Sequence, residues 1–295
     1  MKTLIRYGRR RVLAACAALA AAPFIPAARA QDVPTGGMFS LFVPTPDTAV
    51  RRMLEIAEVK AGDHVVDLGS GDGRIVITAA QKYGARGLGV DIDVELVERS
   101  RAMAREAGVA DRAQFEVGDV LQADLRGATI VTMYLFPELI SLLQTKLLRE
   151  LKPGTRIVIH DFAFATWTPD HTESFHAPEK YFGSGGDSRV SLWIVPAAAG
   201  GRWRVALEGQ ALPIDLQIRQ TFQMLDVTPV MAGKGKPVFA GGRVRGQAVT
   251  FTLDLTADSG TRRHVFEGLI EGEAMRGTVR AGDGPPAPWT ARRAG

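Results

Sequence analysis

Seven residues, Asp67-Leu68-Gly69-Ser70-Gly71-Asp72-Gly73, put three glycines and two carboxylates into one turn. Glycine accepts φ > 0 and lets a ligand come close to bare main chain. The apolar run His64-Val65-Val66 leads in, and a helical pattern from Arg74 to Ala80 leads out. The turn therefore joins a strand to a helix, whose first N–H groups are free to donate to polar ligand atoms. Two more carboxylates end later apolar runs: Asp91 closes Gly87-Leu88-Gly89-Val90, and Asp119 closes Gln114-Phe115-Glu116-Val117-Gly118. A carboxylate about twenty residues past such a turn suits a ribose diol. One Asp at a strand end is usually a cap or turn residue, but three at successive strand ends of one unit point to a bound nucleoside.

The glycine order narrows the ligand. A dinucleotide fingerprint set on Gly69 and Gly71 needs its third glycine where Arg74 stands, and the Lys-Ser/Thr pair of a P-loop is absent. Asp-x-Gly-x-Gly-x-Gly resembles motif I of the class I S-adenosylmethionine (SAM) methyltransferases. That resemblance implies SAM as cofactor. Asp67 then faces its methionine end, Gly69 and Gly71 pass beneath it, Asp91 takes the ribose, and Asp119 accepts from the adenine amino group. Ser70, Ile92 and Val120 complete the expected cofactor-binding set.

These residues need a scaffold. Thr45 as N-cap and Pro46 as N1 open an amphipathic helix with Val50, Met53, Leu54 and Ala57 on one face, ended by Gly62. Asp93 caps the helix that starts at Val94. A fourth strand runs through Ala128–Leu135, a helix through Glu138–Leu151, and a fifth strand through Thr155–Phe162. A long loop follows, and Arg189–Val195 reads as a final antiparallel edge strand. Strands alternating with helices predict an α/β fold, a Rossmann-like, doubly wound class I methyltransferase sheet over residues 31–197. The ligand then lies beyond the strand C-termini.

From Ala197 the pattern changes. Ala197–Gly201 reads as a linker, and residues 198–295 as a C-terminal antiparallel β module, sandwich-like or barrel-like. Short alternating runs occur at Trp203–Leu207, Leu216–Phe222, Val249–Leu255, His264–Ile270 and Ala274–Val279. Gly241-Gly242, Asp258-Ser259-Gly260 and Gly272 are read as turns, and Gly268 and Gly277 as hairpin glycines near strand ends.

Residues 1–30 have the form of a cleaved signal peptide. A basic start with Arg9-Arg10-Arg11 precedes an Ala-rich apolar stretch and Ala28-Arg29-Ala30. The arginines fit a twin-arginine signal, which predicts an exported, periplasmic protein with no stable membrane span in its mature form. This segment holds six of the 36 Lys and Arg and no acid, leaving 30 bases against 32 acids. A slightly acidic mature chain argues against a nucleic-acid partner. Cys16, the one cysteine, leaves with the leader, and the five His show no metal spacing, so no metal is expected.

Phe42-Val43-Pro44, Asp67–Ile77, Gly89–Asp93 with Leu96-Val97 and Ser100-Arg101, and Arg156–His171 together resemble the seven-strand lysine methyltransferases of mitochondria. Those enzymes modify the c subunit of ATP synthase and the adenine nucleotide translocase. Trp167-Thr168-Pro169-Asp170 is the most distinctive shared piece. The resemblance implies a SAM-dependent methyltransferase acting on a protein lysine. It departs at Asp91, where the family has Glu, and at Asp161, where it has a basic residue. Small-molecule N- or O-methyl transfer, and an exported SAM-binding protein without transfer activity, are the alternatives. A lysine acceptor must lose a proton, so acid–base groups belong beside it. Tyr134, Glu138, His160 and Asp161, at the ends of the fourth and fifth strands, are the catalytic candidates. Each also has a structural reading: Tyr134 as core, Glu138 as a helix-dipole partner, Asp161 as a turn cap.

Overall fold

The structure is a computed structural model that describes residues 42–208, 213–230, 240–257 and 260–294. The expected leader and the polar stretch before Phe39 lie outside these residues, as do Asp258 and Ser259 of one expected turn. The described residues belong to one compact unit.

In its first half, α1 (Asp47–Ile56) precedes β1 (His64–Leu68), α2 (Arg74–Tyr83), β2 (Arg86–Asp91), α3 (Val94–Glu106), β3 (Ala113–Val117), β4 (Ile130–Met133), α4 (Pro137–Glu150) and β5 (Arg156–His160). Then come β6 (His171–Ala177), the short α5 (Lys180–Gly183) and β7 (Gly186–Ile194). The sheet order is β3-β2-β1-β4-β5-β7-β6, with β1 to β5 parallel and β7 antiparallel to both β5 and β6.

Period-two alternation gives each strand two buried faces. Val66, Leu68, Val131, Met133, Ile157 and Ile159 meet Ile140, Leu143 and Leu147 of α4. Val65, Ile130 and Val158 meet Val50, Met53 and Leu54 of α1. By the same alternation Asp67, Thr132, Tyr134 and His160 fall on the α1 side. Asp93 accepts from the N–H groups of Glu95 and Leu96, as its spacing implies.

Two expectations are corrected here. Helix α1 begins at Asp47, with Pro46 at the N-cap and no side-chain cap, and it ends at Ile56 rather than running toward Gly62. Thr45 serves otherwise: its carbonyl accepts from Arg74 Nη1 at 2.9 Å. The edge strand is β6, and Arg189–Val195 falls largely in β7, which is inserted between β5 and β6. β6 alternates between exposed and half-buried polar residues, so it lacks the apolar signature of a strand.

The second half is a closed antiparallel barrel of eight strands in the order β10-β11-β12-β13-β14-β15-β8-β9. The strands are β8 (Gly201–Leu207), β9 (Ile214–Thr221), β10 (Met224–Pro229), β11 (Ala240–Arg245), β12 (Ala248–Ala257), β13 (Gly260–Glu271), β14 (Ala274–Ala281) and β15 (Ala287–Ala294). Trp203, Phe251, Phe266 and Trp289 fill its interior. Phe251 stacks on Phe266 at 4.6 Å, and Trp289 meets both edge-on. Gly242 is not in a turn. It lies in β11, where a Cβ would come within 2.7 Å of Phe251 Cβ. Gly268 and Gly277 are not at hairpin ends but face each other in mid-strand, leaving room for Trp289. Gly272, at φ 62°, does turn the β13–β14 hairpin.

The Ala197–Gly201 stretch is not a free linker. Ala197 and Ala199 are buried. Gln220 of β9 takes the Ala199 N–H at 2.7 Å and donates to the Ala197 carbonyl at 2.9 Å. Small side chains let this segment lie flat against the barrel, which composition alone reads as a spacer.

Candidate functional site

The glycine turn has the backbone its sequence requires. Gly69, Gly71 and Gly73 sit at φ 76°, 54° and 78°, values that L-residues with side chains adopt with strain. The N–H groups of Gly69 and Ser70 both donate to the Val90 carbonyl, at 2.8 and 3.1 Å, which ties the turn to the end of β2. A Cβ on Gly71 would come within 2.4 Å of the Phe42 ring, and one on Gly69 within 2.5 Å of Leu135. Phe42, from the segment before α1, and Leu135, beyond β4, thus pack directly on bare backbone.

Asp91 closes this arrangement. Its Oδ2 accepts from the Gly71 N–H at 2.7 Å and its Oδ1 from the Asp93 N–H at 3.0 Å. Each carboxylate oxygen keeps a second lone pair, enough for two hydroxyls. Ile92 is half exposed beside it. Asp119, exposed past β3, accepts from the Leu121 N–H at 2.9 Å through one oxygen, and Val120 is buried next to it. Asp67 is buried, and Thr132 Oγ1 donates to its Oδ1 at 2.7 Å. Burial raises its pKa to about 7; the Thr132 bond opposes this, and the neighbouring Asp91 and Asp72 charges add to it. Ser70 Oγ is buried with no partner among the described residues.

Sequence reasoning passed over the Asp72–Arg74 pair. Asp72 is buried, and Arg74 clasps it with Nε at 2.9 Å and Nη2 at 2.7 Å while Nη1 holds the Thr45 carbonyl. Burial pushes the Asp72 pKa up, but Arg74 outweighs it and the net direction is down. An Asp-x-Arg spacing inside the turn was the available signal.

On the acceptor side the structure joins three of the four expected groups. The rings of Tyr134 and His160 are 4.3 Å apart. His160 is fully buried, with Nε2 at 3.1 Å from Ser188 Oγ and 3.4 Å from Asp161 Oδ1, and Nδ1 unpartnered among the described residues. Burial lowers its pKa to about 4, so it is neutral. Burial and the nearby Asp161 charge raise the Tyr134 phenol to about 12. Glu138, at the start of α4, is exposed and joins none of these contacts. Asp161 takes a left-handed backbone, φ 59°. Arg189 fixes it three ways: Asp161 N–H to the Arg189 carbonyl at 2.7 Å, Arg189 N–H to Asp161 Oδ1 at 3.0 Å, and Arg189 Nη2 to the Asp161 carbonyl at 2.9 Å. Lys180 Nζ, which no sequence signal pointed to, lies 2.8 Å from Asp161 Oδ2. Among the described residues no cluster of His, Cys, Asp and Glu is placed to hold a metal, and no helix is long and apolar enough to cross a membrane.

Residues 67–171 match the family described as the ANTKMT methyltransferase domain. A protein-lysine N-methyltransferase from Saccharolobus islandicus is 46% identical over 129 residues, which are 43% of this chain and 80% of that protein. The mouse lysine N-methyltransferase of the ATP synthase c-ring protein is 37% identical over 52% of this chain and 58% of its own length. The mouse adenine nucleotide translocase lysine N-methyltransferase is 34% identical over 44% and 57%. The chain thus spans less than two thirds of these mouse relatives. The crystal structure of an RNA methyltransferase from Salinibacter ruber with S-adenosyl-L-homocysteine is 47% identical, covering 53% of this chain and 95% of that one, with a TM-score of 0.49.

Proposed function

The chain belongs to the family of SAM-dependent protein-lysine N-methyltransferases, and we propose that it transfers a methyl group to lysine side chains of a protein. The archaeal relative carries the lysine reading. The residues present fit the cofactor. The glycine turn offers bare backbone that side chains at Gly69 and Gly71 would fill, and the Asp91 carboxylate keeps lone pairs for a diol. Asp67, raised by burial and like charges, is stabilised as an anion by an incoming ammonium. Asp67, Gly69, Ser70, Gly71, Asp91, Ile92, Asp119 and Val120 are the holding set. SAM supplies an electrophilic methyl on a sulfonium.

The chain's own work is alignment and exclusion of water. Phe42, Leu135 and the Tyr134 ring form apolar walls near the turn. A neutral His160 adds no positive charge to a site that must gather a sulfonium and an ammonium. Asp161 is the anion that draws the ammonium in. The test is transfer from tritiated SAM to a bacterial protein extract, followed by amino-acid analysis for methyllysine. Label in RNA or a small molecule, or no transfer, overturns the reading.

We also propose export of the mature protein through the leader at residues 1–30. Cell fractionation of an Arg9→Lys, Arg10→Lys variant tests the twin-arginine route, and normal export of that variant excludes it.

A further inference from the structure

Lys180 is an unusual lysine. Its side chain is 10% exposed, although lysines are almost never buried unless paired. Its Nζ donates to the Asp187 carbonyl and lies 2.8 Å from Asp161 Oδ2. The Tyr134 phenol faces the same carboxylate. Carboxylate, carbonyl and phenol oxygens match the three donors of a primary ammonium. A cleft of about 560 Å3, lined by Asp161, Ser174, His176, Asp187, Ser188 and Arg189, opens onto this point. Asp161 is held there at an energetic cost, in a left-handed backbone fixed by Arg189. That cost lies at the C-terminal end of β5, next to the Tyr134–His160 pair, where the acceptor must approach.

Resting on the lysine-acceptor reading, we propose that Asp161, the Asp187 carbonyl and Tyr134 form the subsite for the acceptor ε-ammonium, and that Lys180 fills it as an internal stand-in until a substrate lysine displaces it. The exchange replaces one ammonium by another, so the charge balance at Asp161 is unchanged. What must move is the α5 turn that carries Lys180. That turn contains Tyr181 at φ 52°, is followed by Gly183 at 91° and Gly185 at 78°, and is tied to α1 by an exposed Thr48–Glu179 hydrogen bond of 3.0 Å. A stand-in weakens acceptor binding by the fraction of time it holds the subsite.

Two measurements test this. In acceptor kinetics with a lysine peptide, Lys180→Met lowers KM roughly tenfold if Lys180 fills the subsite about nine-tenths of the time, with SAM affinity unchanged by calorimetry. Asp161→Asn raises KM about tenfold or more, the scale of a lost charge-assisted contact, and Asn tolerates the left-handed backbone. A Lys180→Met protein with normal SAM affinity and an unchanged or higher KM overturns the proposal. The second measurement needs no turnover. The side-chain ammonium resonance of Lys180, assigned by its loss in Lys180→Arg, is followed as n-butylammonium is added to the wild-type protein. Its displacement by n-butylammonium but not by n-butanol supports the subsite, and an identical response to both overturns it. If the wild-type chain methylates no lysine, the functional reading fails, while the resonance still decides whether this place takes an ammonium.

Discussion

The ring of Phe222 stacks on that of Trp167 with centroids 5.5 Å apart and planes 11° apart, and Phe222 does so from a left-handed backbone at φ 53°. Such a conformation costs on the order of 1–3 kcal/mol for a residue of this size. Its buried neighbour Gln223 accepts from Trp167 Nε1 at 2.7 Å and donates to the Thr168 carbonyl at 2.7 Å. Arg243 reaches Asp170 at 2.6 Å, and Asp170 takes the Ile194 N–H at 2.8 Å. The barrel, through its β9–β10 turn and β11, thus grips the Trp167-Thr168-Pro169-Asp170 loop that follows β5.

Gln223→Ala leaves the Trp167 indole N–H and the Thr168 carbonyl without their partner. Two buried polar groups at about 1–3 kcal/mol each imply a loss of roughly 2–4 kcal/mol in urea unfolding followed by tryptophan fluorescence. A chain ending at Pro196 loses the whole grip and should not unfold cooperatively. A truncated chain that keeps a cooperative transition and binds SAM would show that the barrel is not needed for the sheet.

Asp91 holds the turn as well as the expected ribose. Asp91→Ala frees the Gly71 and Asp93 N–H groups and removes the acceptor for the diol. Calorimetry with SAM should show weaker binding by about 1.5–3 kcal/mol, the scale of hydrogen bonds to a charged group. Unchanged affinity removes Asp91 from the cofactor site.

What the sequence made readable was local. The β1–turn–α2 unit, the Asp93 cap and the position of Asp91 follow rules that act within a few residues. β6 escaped because Thr172, Glu173, Ser174 and His176 carry no apolar alternation: only one edge of that strand is paired. β10 escaped because its hairpin turns on Phe222-Gln223, a pair no turn rule selects; their reason is Trp167, on another strand's loop. β11 was hidden by Gly241-Gly242, which reads as a turn and in fact allows close approach to Phe251. Lys180 and Asp161 lie nineteen positions apart in the chain, and nothing in either neighbourhood announces the pair. Tyr134 and His160 were found as strand-end residues. Glu138 shared that description, but it stands at the start of α4, facing solvent.

The barrel offers a stability test with its own control. Gly268 and Gly277 pair across β13 and β14, and a Cβ on Gly277 would fall 1.9 Å from the Glu267 carbonyl oxygen. That neighbour is backbone and cannot swing away. Gly277→Ala should therefore cost about 1–3 kcal/mol as an overpacking change, with Trp289 fluorescence perturbed. Gly62→Ala, with nothing within 4 Å of its Cβ, should unfold like the wild type. Equal stability of the two variants contradicts the close approach.

Asp67 sets the pH dependence of cofactor binding. Burial holds its pKa at about 7 in the ligand-free protein, against about 3.9 in an unfolded chain. Between those values the folded state binds more protons than the unfolded state, so stability without ligand falls as pH rises from about 4 to about 7. Binding runs the other way. The α-ammonium of SAM favours the carboxylate, so the proton on Asp67 must leave as the ligand enters. Affinity should be nearly flat above pH 8 and weaken as pH drops through 7, approaching tenfold per unit well below it. Calorimetry at pH 6 in two buffers of different ionisation enthalpy should show release of nearly one proton per SAM bound, and almost none at pH 8.5. Asp67→Asn should bind weakly at every pH with no proton release. Proton release that persists in Asp67→Asn would assign the titration to another group.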